Sequence, residues 1–384
     1  MPPSRRAAQA RLAEFLETAE RLKNERAAAG AVLEMVEATP PEAWPSLAER
    51  PEFQTNAALE KLSDEVRRRL DRNPREALAL SELATTIADA LPATAYPAVT
   101  LAQIRAMAWK DRANALRFLG RIPETFEAID RAEQALDKHI ALGLDRAVVE
   151  MVKALALLNT GDIEQARTLA ITCGSVFLSH GDLTRALNAG EIEAHVLYET
   201  KRYDDAYALF KSLIDVARAI SDTEAEARCH HNAASCAMYL DDFKVANIHF
   251  SEAIAKLTDL GDVVNATRAQ WGAGLLLLGK GQRDSAFKRL YAARTAFVNY
   301  DMYEEAGLCA LAIAEAHLSS GDGDEARKLV HEIAREFRDS PVERRIIDAV
   351  AVLEDTIGDS AEPIEAVRSV YTLIESVQAE RKQL

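Results

Sequence analysis

Alanine recurs in this chain at a spacing that does not drift. Ala166, Ala206, Ala246, Ala286, Ala326 and Ala366 each stand forty positions after the one before. Five residues ahead of each stands a turn position, held by Gly161, Lys201, Asp241, Gly281, Gly321 and Ala361. Gly120 opens the same pattern one unit earlier, at a spacing of 41, with Thr125 in the alanine slot. A fixed period of this length restricts the fold severely. A unit that short cannot bury its apolar face alone and must stack on its neighbours.

Each unit reads as two helices. From Val99 onward a small residue sits seven positions before the turn, at Ala113, Ala154, Ala194, Ala234, Gly274 and Ala314. The second helix carries the alanine and, four residues on, Ala170, Phe210, Phe250, Leu290 or Val330. Small side chains at fixed places let two backbones approach, while the larger ones fill the space to the next unit. Ile122, Ile163, Tyr203 and Phe243, two residues past the turn, are placed to pin the corner. Between units, Asp182, Asp222 and Asp262 suit helix N-caps, and Gly181 and Gly261 suit the preceding helix ends. Ser221 with Glu224, and Asp301 with Glu304, have capping-box spacing. Ser340-Pro341 with Glu343 predicts a further helix start, with proline at the first helical position. No segment reads convincingly as a strand. The expected fold class is all-α, a solenoid of antiparallel helix pairs.

Residues 1–95 read as an N-terminal helical cap. Its first helix runs from about Arg5 to Glu37 on Leu12, Phe15, Leu16, Ala19 and Leu22. A proline-rich loop over 39–55 follows, with Trp44 and Phe53 as apolar anchors. Ala57 to Leu70 and Asn73-Pro74 to about Leu91 give two more helices. The repeat array then occupies 96–384, its final helix at about Glu362–Gln378.

Composition narrows the partners. With 61 acidic against 46 basic side chains the formal net charge is −15, which repels nucleic-acid phosphate and anionic lipid. Hydrophobic residues make up 48% but aromatic ones only 6%, a balance suited to close helix packing. The most apolar run, Trp271 to Gly279, is far short of the roughly 20 residues a membrane span needs. Met1-Pro-Pro-Ser-Arg-Arg lacks the apolar core of a signal peptide, so a cytoplasmic location is expected. Cys173, Cys229, Cys236 and Cys309 are too few for a disulfide framework and read as reduced thiols.

The small–aromatic–alanine placement, with Gly-Asp-Ile-Glu-Gln-Ala at 161–166, resembles tetratricopeptide repeats. That family's usual period is about 34 residues. The longer period here is similar to the subgroup that includes kinesin light chains, Leu-Gly-Asn-repeat proteins and many bacterial regulators. The nearest local match is Ala227-Arg228-Cys229-His230-His231-Asn232-Ala233-Ala234, which resembles that subgroup's Arg-x-x-x-Asn-Leu-Gly opening with Ala-Ala in place of Leu-Gly. The resemblance spans about 99–375. It implies a right-handed α-solenoid whose first helix of each pair lines a concave groove. By register it places Asn188, Glu191, His195 and Tyr198 in that groove, then Arg228, His231, Asn232, Ser235 and Tyr239, then Arg268 and Trp271. Arg228 and Arg268, one full period apart, fall on neighbouring helices. Their planar donor forks, beside an amide and aromatic faces, suit a peptide backbone and an acidic side chain. The plainer alternative pairs each arginine with a nearby carboxylate such as Glu224 or Glu226.

Catalytic and metal signals are weak. Cys229 and Cys236 share a helix face, but His230 and His231 point roughly 100° and 200° away from Cys229, so four ligands do not converge as zinc requires. The cysteines read as core residues. Gly279-Lys280-Gly281 is a short turn and not a phosphate loop, and no nucleophile elbow is present. No cofactor and no catalytic residue are expected. The leading expectation is a non-enzymatic, bacterial protein–protein interaction scaffold or regulator gripping a peptide or helix of another protein. The alternatives are a sensor of a small peptide or metabolite, and a self-associating homo-oligomer.

Overall fold

A computed structural model describes residues 5–70, 73–338, 340–358 and 360–383. Met1 to Ser4, part of the N-terminal stretch read above, lie outside the described residues. The described residues form eighteen α-helices and two short 3₁₀ segments, in two compact units at 1–180 and 181–382. This all-α succession of helix pairs bears out the expected fold class.

In the first unit, α1 (Arg5–Ala28) and α2 (Gly30–Glu37) take the place of one predicted helix, divided at Ala29. A 3₁₀ run at Pro41–Glu49 carries the buried Trp44, whose indole N–H donates to the Thr39 carbonyl at 2.8 Å. Phe53 is fully buried in the same core. Then follow α3 (Asn56–Arg69), α4 (Pro74–Ala90), α5 (Ala98–Phe118), α6 (Ile122–Leu136), α7 (Gly143–Asn159) and α8 (Ile163–Ser179). From α3 to α8 each helix packs on the next. Asn73 caps α4 by accepting from the Glu76 N–H, as its Asn-Pro start predicts.

The second unit is more regular. Its helices are α9 (Leu183–Glu199), α10 (Tyr203–Ala219), α11 (Thr223–Tyr239), α12 (Phe243–Asp259), α13 (Val263–Gly279), α14 (Arg283–Asn299), α15 (Tyr303–Leu318), α16 (Gly323–Arg338), α17 (Arg344–Thr356) and α18 (Pro363–Gln383). Each helix from α9 to α16 packs on its successor, and α11 also touches α13, which touches α15. Neighbours two apart meet on the tighter side of a stack, so these odd-numbered helices form the inner layer. The predicted slots are core positions: Ala206, Ala246, Ala286 and Ala326 are fully buried, with Phe210, Phe250, Leu290 and Val330 alongside. Close approach is literal at Gly274, where an added Cβ would lie 2.6 Å from Leu290 Cδ2.

Backbone geometry repeats twice as often as the alanines. Residues 161, 181, 201, 221, 241, 261, 281, 301 and 321 all have positive φ, at 20-residue intervals. Each closes a helix and turns the chain into the next one. At the first, the N–H groups of Gly161 and Asp162 bond to the Leu158 and Leu157 carbonyls, the paired bonds of a Schellman end.

This geometry corrects two sequence expectations. Ser221 and Asp301 are not caps of capping boxes but the left-handed residues themselves, at φ 60° and 56°. Asp222 caps α11 through the Ala225 N–H, and α15 begins after Met302 without a side-chain cap. A third correction concerns Ser340-Pro341: α17 starts at Arg344, so Pro341 precedes the helix.

Candidate binding surface on the inner helices

The residues predicted for the groove fall on α9, α11 and α13, and the structure sorts them into three groups. The first is a pair of charged rungs. Arg228 on α11 reaches back to Glu191 on α9, with N···O distances of 3.2 and 3.3 Å, and along its own helix to Glu224 at 3.0 Å. Arg268 on α13 reaches forward to Glu305 on α15 at 3.3 Å and donates to Asn265 Oδ1 at 3.1 Å. Both arginines therefore tie one inner helix to the next. Burial disfavours the Arg228 guanidinium charge, but Glu191 outweighs it and its pKa is raised. Glu224, foreseen as a pairing partner, is one. Glu226 instead pairs with Arg218 and Lys256, away from Arg228.

The second group is aromatic. Tyr239 stacks on Tyr203 with ring centroids 4.5 Å apart and planes 7° apart, and Tyr198 meets both edge-on at 5.5 and 5.7 Å. Tyr239 nevertheless keeps 59% of its surface exposed, an unusual amount for a ring in a cluster. The sequence assigns Tyr203 only a corner role. Its stacking cannot be read from spacing, because the partner belongs to another helix pair.

The third group turns away from the open face. His231 packs edge-on against Phe250 of α12 at 5.8 Å, and Trp271, one period later, packs edge-on against Phe297 of α14 at 6.1 Å. Burial, reinforced by the Arg268 charge, pushes the His231 imidazole down to about 4, so it is neutral. Ser235 donates its hydroxyl to the His231 carbonyl at 3.2 Å. Asn188 and His195 lie exposed on α9, the latter 3.6 Å from Glu199, and Asn232 is half-buried on α11.

All four cysteines are buried. Burial pushes the Cys173 and Cys236 thiols up to about 12 and raises Cys229 and Cys309 as well, so none is a ready thiolate. No group of three or more candidate metal ligands converges among the described residues. No helix among them is long and apolar enough to cross a membrane.

Solved structures share this architecture. A Rap protein complexed with Competence and Sporulation Factor aligns over 94% of this chain and 99% of its own, with a TM-score of 0.57 and 16% identity. Aspartyl phosphate phosphatase F from Bacillus subtilis aligns over 89% and 86%, with a TM-score of 0.56 and 13% identity. A STAND protein with a tetratricopeptide repeat sensor, from Pyrococcus horikoshii, gives a TM-score of 0.61 at 13% identity, over 93% of this chain and 54% of that one. No protein-family profile matches the sequence. No curated protein matches it either. The fold is that of a tetratricopeptide-like helical solenoid, and the solved proteins of that fold include one complexed with a factor and one whose repeats form a sensor.

Proposed function

We propose that this chain is a non-catalytic regulator that binds a peptide segment of another protein on the inner helices of its second unit. The observation that carries this reading is that Arg228, Arg268 and the exposed Tyr239 all lie on odd-numbered helices. A guanidinium that is half-exposed and already held in place by a carboxylate loses little freedom when a ligand carboxylate or carbonyl joins it. An exposed aromatic ring on the same helix as Arg228 offers apolar area with few rotatable bonds. Buried thiols of raised pKa favour binding over nucleophilic chemistry. A Rap protein of the same fold, solved with a bound factor, lends the reading further support.

The test starts from peptides selected on the purified chain from a displayed library. Arg228→Glu and Arg268→Glu are each expected to weaken the selected peptide by about tenfold or more, as loss of a charge-assisted contact does. Unchanged affinity in both variants would remove the inner helices from consideration.

A further inference from the structure

By number, α18 belongs to the outer layer: Ala366 is the next member of the alanine series, and α10, α12, α14 and α16 hold the earlier ones. Several of its contacts are with inner helices. The Arg368 guanidinium binds Glu315 of α15 at 2.7 and 2.9 Å. Arg368, Tyr371 and Thr372 face Leu275 and Leu278 of α13 and Ala312 of α15 across a cleft of about 480 Å³. Further along, the Tyr371 hydroxyl is raised in pKa, first by burial and then by neighbouring charges that include Tyr239 of α11. Burial and Glu199 of α9 raise the Glu375 carboxyl in the same way.

Arg368, Tyr371 and Thr372 thus meet α15 and α13, and charges on α11 and α9 act on Tyr371 and Glu375. The buried apolar face of α18 is regular too. Val367, Val370, Ile374 and Val377 are buried at helical spacing, while Glu365, Arg368, Ser369, Thr372, Glu375 and Ser376 are exposed.

We propose that the inner face of the second unit is a receptor for an amphipathic helix, that α18 is the chain's own occupant of it, and that a partner helix with the same pattern displaces α18. The inference rests on the binding role proposed above and specifies its partner and its control. The partner carries branched apolar residues at the spacing of Val367, Val370, Ile374 and Val377, with a basic residue directed at Glu315. A tethered occupant competes at high effective concentration, so a free helix binds poorly until the tether's own contacts loosen.

A fluorescent peptide of sequence 361–384 is the probe, titrated into the full-length chain. Wild type is expected to bind it weakly. Arg368→Glu in the chain sets two carboxylates together at Glu315 and should strengthen binding of the native peptide by about tenfold. Arg368→Gln, a milder change, should give a gain of about threefold. Combining Arg368→Glu with Glu315→Arg restores the internal pair and confronts the peptide's own arginine with like charge, so binding should return to the wild-type level or below.

Equal binding to all four chains, or no gain in either single variant, overturns the inference. These outcomes are separable from failure of the binding role. If Arg228→Glu abolishes binding of a selected peptide while the position 368 variants change nothing, the inner face binds peptides but α18 does not control it.

Discussion

Eight helices of the second unit, α9 to α16, differ from the two that follow, α17 and α18, in a way that isolates what holds this fold in register. Helices α9 to α14 share one length of 17 residues. Their three-residue connections are each closed by a left-handed residue. The last hairpin keeps the numbering, with Pro363 and Ala366 one full period after Gly323 and Ala326. It does not keep the geometry. α17 has 13 residues, and neither 341 nor 361 has positive φ. Ala366 is only half-buried, and Arg368 of α18 pairs with Glu315 of the inner helix α15. Periodic apolar residues are thus enough to make a helix, whereas each helix from α9 to α16 also follows a left-handed corner.

Truncation in the two regions should separate them most strongly. Phe297→Ala empties a fully enclosed site in α14 and is expected to cost about 3–5 kcal/mol of global stability in urea unfolding. Ile374→Ala on α18 should cost less than about 2 kcal/mol, because release of one terminal helix caps the loss. Equal costs would mean that α18 is as integral as the regular helices. Close approach gives the next test. A Cβ at Gly307 would meet Phe337 Cζ at 2.5 Å, so Gly307→Ala should lose about 1–3 kcal/mol.

The response to pH should have opposite signs in the two regions. His230 on α11 is buried with its Nδ1 2.9 Å from His249 Nδ1. Burial first, then His249, pushes it down to about 4 against the pull of Glu226 and Glu252. Between about pH 6.5 and 4 the unfolded chain takes up a proton that folded His230 refuses, so stability falls as pH falls, by about 2 kcal/mol. His230→Gln should flatten that slope in urea titrations. Glu375 has a raised pKa, so the docked α18 holds its proton more readily than the free helix. Amide exchange in α18, corrected for intrinsic rate, should therefore slow as pH falls towards 5. The smallest effect is at a corner. Lys201 sits at φ 60°, and Lys201→Gly should stabilise the chain by up to about 1 kcal/mol.

How much of this is legible in the sequence follows from the same contrast. The 40-residue period locates the corners at 161, 201, 241, 281 and 321 and the buried alanines after them, because each position has one steric requirement. The inter-unit ends are harder to read. The left-handed residue and the N-cap are adjacent there, and aspartate or serine suits both, so spacing gives Ser221 and Asp301 the neighbour's role. The charged rungs are half visible. Arg228 and Arg268 share a slot, but their cross-helix partners Glu191 and Glu305 lie 37 residues away in opposite directions. His231 and Trp271 also share a slot, and only packing against Phe250 and Phe297 shows that they face the outer helices. The pairing of α18 with α15 leaves no trace in the spacing, since its alanine is in place.

Amide exchange along the full chain, with and without a selected bound peptide, tests the account most directly. Protection should increase in α9, α11 and α13 around Arg228, Tyr239 and Arg268, while exchange in α18 rises as the helix is displaced. Protection confined to α10, α12 and α14, with α18 unchanged, would contradict both the binding face and its occupant.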